Sequence, residues 1–383
     1  MGFGPRQVEE VVTRVASNLL DRTYAGKTVL VTGHTGFKGT WLTAWLLKMG
    51  AKVVGLSKDI PSKPSMFEEL GLAGKITHHI ADVRDLPAVK RILAESKPDF
   101  AFHLAAQAIV SLSYADPVET MTSNIVGTMN VMEALRDVSH PCVGVIITSD
   151  KCYNNVEWVW GYKETDELGG TDIYSGSKGA AELVVRSYVA SFFKNPADGV
   201  RIGVGRAGNV IGGGDWAKDR IIVDCVRAWN EGRPLEMRSP DATRPWQHVL
   251  EPLSGYLTLG AALAQDAKLH GEAFNFGPRA EQNRTVLDLI EKMAEQWKPE
   301  GEAVRILERK PFHEAGLLKL NCDKALFHLR WEANLEYRDC IRFIADWYSC
   351  FYKGGADMYA LTLDQVSEYE KIAAAHGRIW TRA

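Results

Sequence analysis

The chain has 383 residues, 46% of them hydrophobic and 24% charged, with a formal net charge of −3. That length exceeds what one compact core usually holds, so two domains, or one large domain with insertions, are expected. The small negative charge argues against nucleic acid or an anionic membrane as partner, and six cysteines without any C-x-x-C spacing read as free buried thiols, with no metal site among them.

No run approaches the ~18 consecutive apolar residues that span a bilayer. Glu9, Glu10 and Asp21 interrupt the start of the chain where a signal peptide would be apolar, so a cytoplasmic protein is expected. Within residues 1–25, Val8, Val11, Val12, Val15 and Leu19 recur at helical spacing. They predict an amphipathic helical extension docked on the body or on a neighbouring subunit.

Residues 28–32 (TVLVT) read as a β-branched strand, followed by Gly33-His34-Thr35-Gly36-Phe37-Lys38-Gly39 and a helix over 40–49. Strand, glycine-rich turn and helix form the context of a dinucleotide-binding fingerprint, here spaced G-x-x-G-x-x-G. The glycines permit a tight turn and close approach of backbone to a pyrophosphate at the helix N-terminus. His34 either contacts a cofactor phosphate or fills the turn, and the second reading is preferred.

A second strand over 52–56 is followed by Asp59, twenty residues past Gly39. It is a candidate to bind the adenosine ribose and select NAD over NADP, against the alternative of a solvated loop acid. Residues 76–80 predict a third strand, with Asp82 and Val83 beside the adenine. A fourth, over 100–104, runs through Leu104 into Ala105, Ala106 and Gln107, small residues that let a cofactor approach. Helical periodicity covers 117–136, and Asn124 stands in its apolar face as a buried amide in need of partners.

The strongest constellation lies at 147–153 (ITSDKCY) and 174–178 (YSGSK). The apolar run 142–147 reads as a buried parallel strand, which sets Ser149, Asp150 and Lys151 beyond its carboxyl end, where open α/β sheets bind ligands. Tyr174 and Lys178 are four apart and share a helix face within 172–188. An ammonium beside a phenol favours the phenolate and makes a base that works near neutral pH. An aromatic loop at 158–162 either covers the substrate or anchors itself in the body.

After a strand over 201–205 the turn-rich run 206–216 changes the chain's character, and a domain boundary is expected there. Helices over 221–230, 253–264 and 286–297 alternate with strands at 235–237 and 273–277. Arg220 and Arg244 are candidates to grip a diphosphate through forked hydrogen bonds, against the alternative of surface arginines. The pattern predicts an α/β protein: a Rossmann-type doubly wound parallel sheet over 26–205, a smaller mixed α/β domain over 206–352 and a polar helical tail over 353–383.

The motifs TGHTGFKG (32–39), DVRD (82–85), HLAAQ (103–107), SNIVGT (123–128) and the Tyr174–Lys178 pair resemble the extended short-chain dehydrogenase/reductase family. The resemblance covers residues 27–352. With TSDKCYNN, RAGNVIGGGDW and RPWQHV added, it is closest to the branch of nucleotide-sugar 4,6-dehydratases that takes CDP-glucose. It implies bound NAD and a homodimer packed through two helices of the first domain, with a tetramer left open. Residues 33, 34, 36–39, 59, 82, 83, 104–107, 124, 174 and 178 would face the cofactor. Gln107, Ser149, Asn209, Arg220 and Arg244 would face the substrate.

In roles, the resemblance makes Tyr174 the base for the sugar's 4-hydroxyl, with Ser149 bonded to the same oxygen and Lys178 lowering the phenol's pKa. Asp150 would protonate the departing 6-hydroxyl. Sister enzymes carry Asp-Glu where this chain has Asp150-Lys151, so Lys151 is expected as the carbon-5 base, against a water or Tyr174 itself. A nucleotide-sugar 4-epimerase would share Tyr174 and Lys178 but has no use for an acid and base aimed at carbons 5 and 6. A dinucleotide-binding sensor without catalysis would dispense with the pair.

Overall fold

The computed structural model describes residues 18–195, 199–279, 282–307 and 318–382. Seven strands form one parallel sheet: β1 Thr28–Thr32, β2 Lys52–Ser57, β3 Thr77–Ile80, β4 Phe100–His103, β5 Cys142–Ile147, β6 Val200–Ala207 and β7 Ala273–Phe276. Their spatial order is β7-β6-β5-β4-β1-β2-β3, every neighbour parallel. The direction of winding reverses between β1 and β4, and a crevice opens there beyond the strand ends.

Period-two alternation feeds two cores. Val29 and Val31 of β1, with Val143 and Val145 of β5, enter one cluster; Leu30, Cys142 and Ile146 enter the other. One face carries α1 Leu19–Tyr24 and α2 Phe37–Lys48. The other carries α3 Leu86–Ser96 and the long helix α4, residues 117–136, in which Thr122–Val126 forms a π-turn. Of the expected N-terminal extension, Val8, Val11, Val12 and Val15 lie outside the described residues, and Leu19 opens α1.

α5 Ile173–Phe192 starts where Asp172 caps it, accepting from the Ser175 N–H at 3.0 Å. Beyond β6 come α6 Ile221–Asn230, α7 Leu250–Gln265 and α8 Val286–Trp297. The change of character at residue 206 marks where the chain first leaves the sheet, not where it leaves for good. β7 adds to the sheet's edge on β6, and α7 packs its apolar side on β5 and β6, with Tyr256 against Gly205 and Leu259 and Leu263 against Gly203. The apolar residues of 250–276 therefore complete the first core instead of founding a separate one. The glycines of the 212–214 turn have a packing reason: a Cβ on Gly213 would lie 2.1 Å from Trp347, and the Trp41 indole donates to the Gly213 carbonyl at 2.9 Å.

The tail is a structural member. α9 Tyr337–Lys353 and α10 Met358–Ala375 close the α2 side of the sheet. Trp45 of α2 donates to Glu370 at 2.9 Å, and Tyr369 and Trp380 are completely buried. Beneath them Glu251 of α7 accepts from the Asn334 and Leu335 N–H groups and from the Tyr369 hydroxyl at 2.7 Å. No helix among the described residues is long and apolar enough to cross a membrane.

Candidate active site

The crevice floor is backbone on backbone. Gly33, at φ +76°, is so near the chain leaving β4 that a Cβ would fall 2.7 Å from Ala105 N. Gly36 caps α2 without a side-chain bond, which leaves the first-turn N–H groups facing the crevice. A helix N-terminus with this glycine cradle fits a diphosphate. Phe37 turns from it and packs on the core beneath Gly212.

His34 fills the turn. It is fully buried, with Nδ1 3.0 Å from Ser57 Oγ and Nε2 2.7 Å from His78 Nδ1. Burial and the neighbouring His78 lower it to about 4. His103 is likewise internal, between the hydroxyls of Thr32 and Thr128. Asp59 is exposed, and its carbonyl accepts from Thr35 Oγ1 at 2.7 Å. The Asp82 carboxylate is gripped by Arg84, which also reaches Glu119. Val83 packs against Gly127.

Leu104, Ala105 and Ala106 line the crevice half-buried. Gln107 spends its amide inside its own loop, on Ile109 and Thr120. Asn124, on the π-turn, accepts from Gln107 N at 2.8 Å and donates to Gln107 O and to Ser177 Oγ. The extra residue of a π-turn swings a side chain out of helical register. Here it ties the 104–107 loop to α5, meeting the need for partners that a buried amide carries.

Ser149 caps the single turn Asp150–Cys152 that follows β5. Tyr174 and Ser149 are buried neighbours, and Ser149 Oγ donates to Asp150 Oδ1 at 2.9 Å. Phenol, hydroxyl and carboxylate thus form one buried cluster. Asp150 also abuts Gly208, next to half-buried Asn209, where a Cβ would lie 3.2 Å from its Oδ2. Lys151 is half-buried on the same turn, and its N–H donates to Ser149 Oγ at 3.3 Å. Lys178 Nζ lies 5.9 Å from the Tyr174 ring centre.

Burial pushes the Tyr174 phenol up to about 12; Ser149 and the Arg220 charge oppose this, and Asp150 reinforces it. Loss of water thus outweighs the groups that pull the phenol down. Lys178 itself is brought down to about 8 by burial. Lys38, expected at a phosphate, is also lowered to about 8 by burial, with Asp150 opposing and Lys178 and Arg220 reinforcing. Its ammonium lies 6.0 Å from the Tyr256 ring centre.

Arg220 precedes α6, and its charge acts on both Tyr174 and Lys38. Arg244 lies on a two-stranded ribbon, Thr243–Pro245 with Asn283–Thr285, and donates to the Thr243 carbonyl. The exposed aromatics Trp158 and Trp160 stand beyond Tyr162, which is anchored in the body. Glu182, Arg206 and Tyr256 were missed by sequence reading. Tyr174-x3-Lys178-x3-Glu182 keeps one helix face, a spacing that could have flagged Glu182.

The chain is 44% identical over 356 residues to CDP-glucose 4,6-dehydratase of Salmonella typhimurium, covering 92% of this chain and 98% of that one. Among solved structures, dTDP-glucose 4,6-dehydratase of Streptomyces venezuelae with NAD bound superposes with a TM-score of 0.72 at 20% identity, over 84% of this chain and 97% of that one. UDP-glucose 4-epimerase of Stenotrophomonas maltophila, also with NAD, gives 0.74 at 21%, over 86% and 100%. These likenesses extend the seven-stranded fold to dehydratases and epimerases alike. The family described as GDP-mannose 4,6 dehydratase matches residues 30–344, and the chain belongs to it.

Proposed function

We propose that the protein is an NAD-dependent lyase that converts CDP-glucose to CDP-4-keto-6-deoxyglucose and water. The observation that carries this reading is the buried cluster of Tyr174, Ser149 and Asp150 at the strand ends, in which Ser149 Oγ donates to Asp150 Oδ1. It sets a base for one hydroxyl beside an acid for another. The 44% identity to a CDP-glucose 4,6-dehydratase supports the substrate. The glycine cradle, together with NAD in two structures of the same fold, supports the cofactor.

When bound, NAD supplies the hydride acceptor at carbon 4 and returns the hydride at carbon 6, so it is regenerated each turn. Tyr174 would gain from the positive charge of the oxidised cofactor, which favours its phenolate. Tyr174 then takes the proton of the 4-hydroxyl, with Ser149 bonded to the same oxygen. The resulting ketone acidifies the carbon-5 proton, which Lys151 removes while Asp150 delivers a proton to the departing 6-hydroxyl. Lys178 steadies the phenolate by charge, and Arg220 draws the diphosphate to the site's mouth.

Asp150-Lys151 favours dehydration over 4-epimerisation, which needs neither group. Exposed apolar side chains on 110–136 and α5, among them Tyr114, Val118, Met129 and Leu183, support a homodimer joined through these helices. The reading is tested by offering CDP-, dTDP-, UDP- and GDP-glucose and assaying the alkali-absorbing 4-keto product. Turnover of CDP-glucose to an epimer, or of no nucleotide sugar at all, defeats it. In Lys151→Met, solvent-deuterium exchange at carbon 5 should vanish, and its persistence removes Lys151 from that step.

A further inference from the structure

Among the described ion pairs, Arg206 of β6 and Glu182 of α5 are the most enclosed, with side chains 1% and 4% exposed. The guanidinium grips the carboxylate as a fork, Nε to Oε1 and Nη2 to Oε2, each at 2.9 Å. Withdrawing two ions from water costs about as much as their attraction returns, so such a pair is weak evidence for stability. Its attachments give a better account of it.

Glu182 stands four residues past Lys178 and eight past Tyr174, on their side of the helix. Its Oε1 also accepts from Thr148 Oγ1 at 2.5 Å, immediately before Ser149. The remaining Arg206 nitrogen, Nη1, donates to the Tyr153 hydroxyl at 2.8 Å and to the Glu164 carbonyl at 3.1 Å. Tyr153 ends the Asp150–Cys152 turn, and its hydroxyl donates to Asn275 Oδ1 of β7 at 2.8 Å. One ion pair therefore holds the residue before the 149–152 turn and the residue after it. It ties both to the helix that bears Tyr174 and Lys178.

We propose that Glu182 and Arg206 are positioning residues: they fix the turn bearing Ser149 and Asp150 against the helix bearing Tyr174 and Lys178, so that both sets of groups face one sugar. The inference rests on the dehydratase reading. Neither side chain touches the reacting atoms. The Glu182 charge also supports the Lys178 ammonium, whose other titratable neighbours are Cys152, Tyr174, Lys38 and His103.

The test is the paired substitution Glu182→Leu with Arg206→Met, which removes both charges and keeps apolar volume. A staple that only holds the fold predicts that melting temperature and kcat recover together. Positioning predicts wild-type melting with kcat for CDP-glucose down on the order of tenfold to a hundredfold and KM within about twofold. The alkaline limb of its kcat/KM profile should also move to lower pH, because Lys178 has lost an anionic neighbour.

Thr148→Val and Tyr153→Phe each keep the ion pair and cut one tether, so they decide the matter should the paired variant fail to fold. Reduced kcat in both supports positioning, and wild-type kcat in both overturns it. Wild-type protein run in parallel separates the two claims. Absence of turnover there sinks the dehydratase reading, whereas wild-type turnover with unimpaired variants sinks the positioning role.

Discussion

Gly39 lies so close to Gly33 that a Cβ on Gly39 would fall 2.1 Å from the Gly33 carbonyl oxygen. A backbone oxygen cannot swing aside as a side chain can, so the first turn of α2 would be forced off the loop. Gly39→Ala is expected to weaken NAD binding more than tenfold and to cost about 1–3 kcal/mol of stability, the usual range for overpacking. Calorimetric titration with NAD and a urea melt measure the two effects. Unchanged NAD affinity would remove the loop from the cofactor site.

Tyr174→Phe deletes one buried hydroxyl and leaves the ring in place. With Tyr174 as the base, kcat should fall by roughly 10²–10⁴-fold. Binding of CDP-glucose and the far-ultraviolet circular dichroism spectrum should not change. Retention of more than a tenth of wild-type turnover would assign the proton to another group.

Buried Lys178 and half-buried Lys38 set a pH dependence with opposite signs for activity and stability. Lys178 and Lys38 are both held near 8, below their ordinary 10.5. As pH rises through about 8 the Lys178 ammonium is lost from the side of Tyr174, so kcat/KM should decline. From there to 10.5 the unfolded chain binds the more protons, so the contribution of both groups to stability rises with pH. Activity profiles and chemical denaturation at about pH 7 and about pH 9, roughly 1 unit either side of that window's start, should diverge accordingly. Parallel decline of both would show that neither lysine governs the limb.

Glu251 faces donors alone: two backbone N–H groups and the Tyr369 hydroxyl. Burial pushes it up to about 7, with those bonds pulling it back. Between its ordinary 4.5 and 7 the folded state binds more protons, so its contribution is full at low pH and is lost as pH rises through 7. Glu251→Gln turns an NH₂ toward donors and should cost about 1–3 kcal/mol at neutral pH. Urea midpoints at several pH values provide the check, and a midpoint equal to wild type contradicts it.

The fold was largely legible because its strands are buried on both faces and read as short apolar runs between turns, as 142–147 does. Tyr174, Lys178 and the Ser149–Asp150 turn were legible because chemistry confines them to one helix face and one strand end. Periodicity could not see pairings made across sequence. Arg206 read as the first residue of the turn-rich run, and only β6 beside α5 reveals Glu182 as its partner. Asn124 looked like an isolated amide until the π-turn placed it against Gln107 and Ser177. That β7 returns to the sheet was not legible, because a short apolar strand carries no mark of the sheet it will join.

The seventh strand has a consequence for how the chain comes off the ribosome. When the chain has emerged as far as Ala207, β6 is still a bare edge, and the face that α7 will cover is open to water. About seventy more residues must follow before Phe276 seals that edge, an interval in which a nascent chain is exposed to wrong partners. A gene cut at codon 206 would therefore yield two fragments that each lack what the other needs, so the halves cannot be exchanged as modules among relatives.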